Sequence, residues 1–255
     1  MDKRTLIRSL LPALVMCLTG PVIAQQSQQA VTLMAADGVK VHAQYWAAPG
    51  TKAPLILAFH QAGSSSAEYA PIAPRLVRAG FSVLAIDQRS GGGEFGGKNS
   101  TVAGLGRSTS YDAALPDLEA ALAWGRARAN GAPVLVWGSS YSAALVFVLA
   151  SKHPADIQGL LAFSPGEYLG RRSAVNQAAR SLTLPIFVTQ ASSEDEIEQS
   201  KTILEAVRSR DKTYFEPKGR GIHGSATLRA DRNAAGAEEN WAAVLGFLGK
   251  FKSKD

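Results

Sequence analysis

The chain has 255 residues, of which 46% are hydrophobic and 19% are charged, and its formal net charge is +6. This composition excludes disordered, collagen-like and fibrous proteins, and a globular chain of this length buries enough surface to fold without a disulfide or a metal. Its Lys and Arg residues are scattered rather than clustered, which argues against a nucleic-acid partner, and its single cysteine excludes an internal disulfide.

The first 24 residues have the pattern of a secretory signal peptide. A basic start, MDKRTLIR, precedes the apolar stretch SLLPALVMCLTGPVIA, and Ala24 is a small residue at the expected cleavage position. An uncleaved membrane anchor is the alternative, but prolines and a glycine interrupt the apolar stretch, which is short for a spanning helix. We therefore expect an exported protein, periplasmic or secreted, that begins at Gln25 and keeps no stable membrane anchor. Cleavage also removes Cys17, so no thiol remains.

The mature chain reads as one α/β domain over residues 25–255. Two short runs, VTLMAA and VKVHAQYW, flank Asp37–Gly38 and predict an N-terminal antiparallel hairpin. Compact apolar runs then alternate with helical stretches such as APIAPRLVRAG, DAALPDLEAALAWGRARANG and the tail NWAAVLGFLGKF; the runs are PLILAFH, FSVLAID, PVLVWGS, GLLAFS, PIFVTQA and TYFEP. This alternation predicts a mostly parallel central sheet with helices on both faces.

The segment Ser90–Tyr111 predicts a long glycine-rich loop directly after the strand FSVLAID. Loops of this length in a compact domain are usually functional, and ligand sites form at the carboxyl ends of parallel strands. Its glycines lack the spacing of a phosphate-binding loop.

The segment PVLVWGSSYSAALVFVLA predicts a strand, a tight turn and a helix, with Ser140 at the apex of the turn. This is the layout of a nucleophile elbow, in which Gly138 removes side-chain bulk and Ser142 provides a second small residue. Because the mature chain has no cysteine, the nucleophile must be a serine. Ser139, Ser142 or a plain helix cap are the alternatives to a nucleophilic Ser140.

A serine nucleophile needs a general base, which a histidine after the elbow normally provides. The chain has four histidines: His42 lies in the hairpin, His153 follows the elbow helix, and His60 precedes the elbow. His223, in GRGIHGSATL, remains, and its flanking glycines form a flexible turn that can present the imidazole to Ser140. We therefore predict His223 as the base, against the alternative of an exposed loop histidine.

The acid that orients the imidazole should follow a strand between these two residues. After PIFVTQA the sequence SSEDE offers Glu194, Asp195 and Glu196. A turn of usual length selects Glu194 and one more loop residue selects Asp195, and the residues alone do not separate these two. Glu167 is a reserve, and the acids could instead stabilise the N-terminus of a helix.

Catalysis also needs hydrogen-bond donors for an oxyanion. One predicted donor is the backbone N–H of Tyr141, the residue after the nucleophile. The second is predicted at Gln61, because HQAGS after the strand PLILAFH parallels an H-G-G-G oxyanion loop. His60 is then expected to shape that loop.

The segments LILAFHQAGSS, LAIDQRSGG, WGSSYSA, AFSPGEY and GIHGSATL together resemble the dienelactone-hydrolase-like branch of the α/β-hydrolase superfamily, over roughly Val31 to Phe251. The resemblance implies a single-domain α/β-hydrolase fold and hydrolysis of esters or related acyl compounds with no metal and no organic cofactor. Two departures matter. Ser140 stands where dienelactone hydrolases themselves use cysteine, and SSEDE replaces the usual G-x-x-D of the acid turn.

These observations predict a serine hydrolase that cleaves small-molecule carboxylic esters through an acyl-Ser140 intermediate. About 20 residues separate GLLAFS from PIFVTQA, which leaves room for one short helix and therefore predicts a shallow pocket for small acyl groups. A peptidase or thioesterase with the same triad is an alternative, and so is a non-catalytic binding protein that retains the fold.

Overall fold

The protein, described here from a computed structural model over residues 28–252, is built on one eight-stranded sheet. The predicted signal peptide, residues 1–24, lies outside the described residues. The strands are β1 (Gln28–Met34), β2 (Lys40–Trp46), β3 (Leu55–Phe59), β4 (Ser82–Ile86), β5 (Val134–Ser139), β6 (Gly159–Phe163), β7 (Ile186–Thr189) and β8 (Lys212–Phe215). Their order is β1-β2-β4-β3-β5-β6-β7-β8; β2 runs antiparallel to both neighbours, and β3 to β8 are parallel. The predicted strands and the predicted N-terminal hairpin are confirmed.

Seven α-helices in the described part of the chain cover the two faces of the sheet. They are α1 (Ala73–Arg78), α2 (Ser100–Leu105), α3 (Leu115–Arg128), α4 (Tyr141–Lys152), α5 (Ala174–Ala179), α6 (Glu194–Ala206) and α7 (Ala237–Leu248). Because alternate strand residues face opposite sides, Leu57 and Phe59 join the core beneath α3 to α6, whereas Ile56 and Ala58 join the core beneath α1 and α7. Helices on both faces are thus confirmed. Among residues 28–252, none of the helices combines the length and apolar character that crossing a membrane requires.

The segment 90–111, predicted as a glycine-rich loop, contains more regular secondary structure than expected. It contains a 3₁₀ turn and helix α2, whose first turn is capped by the side chain of Asn99, which accepts a hydrogen bond from Val102 N at 2.8 Å. The segment lies directly on the loop after β3, where Gly92 N donates to Ser64 O at 2.7 Å. A Cβ at Gly92 would lie 2.7 Å from the carbonyl oxygen of Gly63, so this close approach requires glycine.

A buried arginine lies directly before this segment. Arg89, just after β4, donates from its backbone N–H and from Nε to Asp117 of α3, at 2.8 and 2.9 Å. Its guanidinium also pairs with Asp37 in the hairpin turn. The arginine therefore joins the hairpin, the sheet and α3 at the edge of the loop.

Candidate active site

Ser140 occupies the sharp turn between β5 and α4. Its backbone angles are φ 58° and ψ −123°, a conformation that costs a non-glycine residue of order 1–3 kcal/mol. The turn is tight enough that a Cβ on Gly138 would lie 2.5 Å from Ala143 N and closer still to the carbonyl oxygen of Ser142. Glycine is therefore required at position 138, and the strained turn carries Ser140 to the carboxyl edge of the sheet.

Ser140 and His223, two of the predicted catalytic residues, lie within hydrogen-bond distance of each other. His223 Nε2 lies 2.7 Å from Ser140 Oγ, and His223 Nδ1 lies 2.9 Å from Glu196 Oε1. The imidazole therefore connects a serine hydroxyl on one side with a carboxylate on the other. This is the connectivity of a nucleophile, a base and an orienting acid.

The expectation of Glu194 or Asp195 at this position is corrected by the geometry. All three acids begin α6, and successive residues of a helix are rotated by about 100°. Only Glu196 is turned toward the histidine, and its Oε2 accepts from Ala191 N at 3.0 Å, whereas Glu194 and Asp195 are exposed. The reserve candidate Glu167 accepts hydrogen bonds from the first turn of α5 instead.

The histidine and the carboxylate shift each other's pKa. The hydrogen bond and the charge of Glu196 raise the pKa of His223, although its partial burial acts in the opposite direction. Burial alone would raise the pKa of the Glu196 carboxyl, but hydrogen bonds from His223 and Ala191 outweigh it and hold the pKa below its usual value. Both shifts favour a charged pair, which stabilises an imidazolium when the base takes a proton.

The loop that precedes α6 and the loop that carries His223 are joined by backbone and hydroxyl groups. Gly221 N donates to Ser192 Oγ at 2.9 Å, and Ser192 N donates to Gly221 O at 3.2 Å. Gly224 N donates to Ser164 Oγ, after β6, at 2.9 Å. These contacts fix where His223 stands relative to the ends of β6 and β7.

The two predicted oxyanion donors differ in whether their N–H groups are already hydrogen-bonded. The N–H of Tyr141, the first residue of α4, has no hydrogen-bond partner among residues 28–252. The N–H of Gln61, by contrast, donates to Glu68 Oε2 at 2.7 Å, and its side-chain amide donates to Glu94 Oε2 at 2.8 Å. The next N–H along the loop, that of Ala62, makes no hydrogen bond within the described part of the chain and is the better candidate.

The other histidines lie outside this arrangement. His60 is completely buried; its Nδ1 lies 2.7 Å from Gln61 O and its Nε2 accepts from Gln88 N at 2.9 Å, so it shapes the loop as expected. Burial lowers the pKa of His60 to about 4. His42 lies in β2, and His153 sits beside acidic side chains after α4.

An open cleft of about 520 Å³ lies beside the histidine. The residues that line it come from the loop after β3, the glycine-rich segment and the histidine loop: Gln61, Glu94, Phe95, Arg220, Ile222, His223, Ala226 and Arg232. The volume suits a small ligand. Within residues 28–252, no three His, Cys, Asp or Glu side chains converge to hold a metal ion.

Two acidic residues of the site were not singled out from the sequence. Glu94 lies in a loop without hydrophobic periodicity, so no sequence pattern indicated where its side chain would be placed. Glu68 could have been noticed as the one acid in the segment HQAGSSSAEYA, which otherwise contains small, polar and apolar residues.

Comparison with known proteins gives the same fold. The family model described as serine aminopeptidase, S33, matches residues 50–173, a stretch that includes Ser140 but ends before Glu196 and His223. Similar solved structures include an esterase from Pyrococcus furiosus (TM-score 0.64, 16% identity, 89% of this chain and 92% of that chain covered). They also include a cold-adapted esterase from an Arctic intertidal metagenomic library (0.67, 19%, 89% and 94%) and a dienelactone hydrolase from Anabaena variabilis (0.66, 16%, 89% and 99%). No curated protein sequence matches significantly.

Proposed function

We propose that the chain is a serine hydrolase of the α/β-hydrolase superfamily that cleaves carboxylic esters of small acyl groups, and the fold and the family-model match over residues 50–173 support the superfamily. The observation that carries the proposal is the hydrogen-bonded line from Ser140 Oγ through the His223 imidazole to Glu196, at 2.7 and 2.9 Å. A protein that only binds a ligand has no need of a strained serine aligned with a base.

In the proposed acylation step, Ser140 Oγ attacks the ester carbonyl carbon while its proton passes to His223 Nε2. The tetrahedral intermediate collapses, the bond to the alcohol oxygen breaks, and the alcohol leaves with the proton from His223. Water then attacks the acyl-serine with His223 again acting as base, which releases the carboxylic acid and restores the Ser140 hydroxyl. Glu196 stays ionised throughout and stabilises the imidazolium.

The oxyanion of each tetrahedral intermediate is proposed to accept hydrogen bonds from the N–H groups of Tyr141 and Ala62. Both are free of partners among the described residues, and the Tyr141 N–H opens helix α4, whose N-terminal end favours negative charge. Removing one such donor typically slows catalysis by about 10²–10³-fold.

The preference for small acyl groups rests on the shape and charge of the surroundings. Between β6 and β7 the chain inserts only the six-residue helix α5, so there is little material for a deep acyl channel. The cleft beside the histidine is open and carries Glu94, Arg220 and Arg232 on its rim. A long apolar chain would gain little from such a lining.

The test is hydrolysis of p-nitrophenyl esters, from acetate to long-chain acyl groups, beside an aminoacyl p-nitroanilide and an acyl thioester. We expect turnover that is fastest on short esters and is abolished in Ser140→Ala. Faster turnover of the anilide would indicate a peptidase, and faster turnover of the thioester would indicate a thioesterase. No turnover of any of the three classes would favour a non-catalytic binding protein.

We also propose that the enzyme is exported. The proposal is supported by the basic start and apolar stretch of residues 1–24, and is independent of the chemistry at Ser140. Expression of the full chain in a Gram-negative bacterium should give a periplasmic or secreted protein whose N-terminal residue is Gln25. A product that retains Met1 in the membrane or the cytoplasm would contradict it.

A further inference from the structure

A carboxyl group that the proposed mechanism does not use lies directly behind the candidate active site. Glu68 is in a 3₁₀ turn, Ser66–Tyr69, and is 0% exposed. Its Oε1 accepts a hydrogen bond from Ser139 Oγ at 2.7 Å, and its Oε2 accepts one from Gln61 N at 2.7 Å. Burying a carboxyl group is costly, so its position calls for a physical reason.

The two partners of Glu68 are the immediate neighbours of the reacting groups. Ser139 precedes the nucleophile, and Gln61 precedes the Ala62 N–H proposed for the oxyanion. Ser139 Oγ also accepts from Ser225 N at 2.8 Å, and Ser225 is two residues beyond His223. One carboxyl group therefore connects the oxyanion loop, the nucleophile turn and the histidine loop.

The backbone that carries Glu68 is itself held in place. The Arg229 guanidinium donates to the carbonyl oxygens of Ala67 and Glu68 at 3.1 and 3.0 Å. The same guanidinium stacks over the Phe95 ring at 4.5 Å, so the glycine-rich loop packs on this support. The carboxyl group of Glu68 is thus presented by a fixed turn rather than by a mobile loop.

We propose that Glu68 is a positioning residue whose carboxylate holds the oxyanion loop against the nucleophile turn, so that protonation of Glu68 loosens the oxyanion donors and slows acyl transfer. The second half of this statement rests on the proposed hydrolase function. The first half, a charge-dependent bond between Glu68 and the Gln61 N–H, does not. A carboxylate binds an N–H about twice as strongly as a neutral acceptor does, so the bond should weaken when Glu68 takes a proton.

Both protonation states are within reach near neutral pH. Burial raises the pKa of Glu68 to about 7, against the hydrogen bonds from Ser139 and Gln61, which lower it. Two nearby groups favour the carboxylate when they carry positive charge, Arg229 and His223. Other titratable groups near the turn include two buried tyrosine hydroxyls, the buried imidazole next to Gln61 and two carboxylates that contact neighbouring residues: Tyr69, Tyr141, His60, Asp87 and Glu94.

A first experiment follows the backbone amide of Gln61 by ¹H–¹⁵N NMR from about pH 5 to 9. In the wild-type protein we expect the Gln61 amide signal to move with a midpoint near pH 7. The step should vanish in Glu68→Gln and persist in His223→Gln, which separates it from titration of the histidine. A Gln61 signal that does not move in the wild type, or that moves unchanged in Glu68→Gln, would overturn the proposal. This readout needs no turnover.

A second experiment measures kcat and KM for p-nitrophenyl acetate over the same pH range. We expect Glu68→Gln to lower kcat about tenfold or more with KM changed less than about threefold, and to remove one ionisation from the kcat profile. Glu205→Gln, an exposed residue of α6, is the matched control and should behave as the wild type. A Glu68→Gln variant with the wild-type kcat and pH profile would refute the positioning role. An inactive wild type would refute the hydrolase function, and the NMR experiment alone would then test the bond between Glu68 and the Gln61 N–H.

Discussion

Replacing Glu196 with Gln isolates the interaction that orients the base. The Glu196 carboxylate lies 2.9 Å from His223 Nδ1, and in Glu196→Gln a neutral amide stands there, which can equally well hold the wrong imidazole tautomer. In a buried triad such a change lowers kcat by about 10⁴-fold. Here the side chains of His223 and Glu196 are 42% and 19% exposed, so water can replace part of the lost hydrogen bonding. We therefore expect a loss of about 10²–10³-fold in kcat, which is ~3–4 kcal/mol of transition-state stabilisation.

The assay is the pH dependence of kcat/KM on a short p-nitrophenyl ester. Because a general base must be unprotonated, the rate rises with pH through the pKa of His223, which Glu196 raises. The rising limb should therefore move to lower pH in Glu196→Gln. Glu194→Gln and Asp195→Asn are matched controls two residues and one residue away, and they should keep the wild-type profile. A Glu196→Gln enzyme with wild-type kcat, or a large loss in either control, would refute the assignment.

The remaining predictions concern packing and buried charge. Gly138→Ala should lose ~3 kcal/mol or more of unfolding free energy and all esterase activity, because its Cβ would meet the backbone of the first turn of α4. The control is Gly246→Ala in α7, where a Cβ meets nothing within 4 Å. This control should be no less stable than the wild type in thermal melting. Asp117→Ala should cost ~3 kcal/mol by chemical denaturation, the lower end for a broken buried ion pair, because the buried Arg89 guanidinium then keeps only the partly exposed Asp37 as a charged partner, and a loss below ~1 kcal/mol would contradict this. In the native state Glu68 keeps a proton between its usual pKa of 4.5 and about 7 that the unfolded chain has lost, so wild-type stability falls as pH rises through this window. The free energy of unfolding of Glu68→Gln should therefore gain up to ~3 kcal/mol on the wild type by pH 8, and a constant difference would contradict the raised pKa.

The sheet was predictable because its strands are buried on both faces. Runs such as PLILAFH and PVLVWGS are continuous in apolar residues, which is what a strand covered by helices on both sides requires. The fold that the resemblance implies is confirmed, because similar solved structures share it over 89% of the chain. Helix α2 was missed because its start depends on a single side-chain cap, Asn99, inside a segment rich in glycine.

Within the site, the pairing of Ser140 with His223 was predictable because a strand–turn–helix pattern and a supply of only four histidines left one combination. The acid was not. Its identity depends on the residue at which α6 begins, and an error of one residue rotates a side chain by about 100°. The donor predicted at Gln61 failed for a different reason: Glu68, seven residues later, folds back onto its N–H, and such a contact leaves no periodic signal in the sequence.

The central claim is that Ser140 is an activated nucleophile. The most direct measurement is reaction of the purified protein with a fluorophosphonate probe, followed by intact mass and peptide mapping. The account predicts one adduct per chain, located on Ser140, absent in Ser140→Ala and formed more slowly in Glu196→Gln. A wild-type protein that forms no adduct, or forms it on another serine, would contradict it.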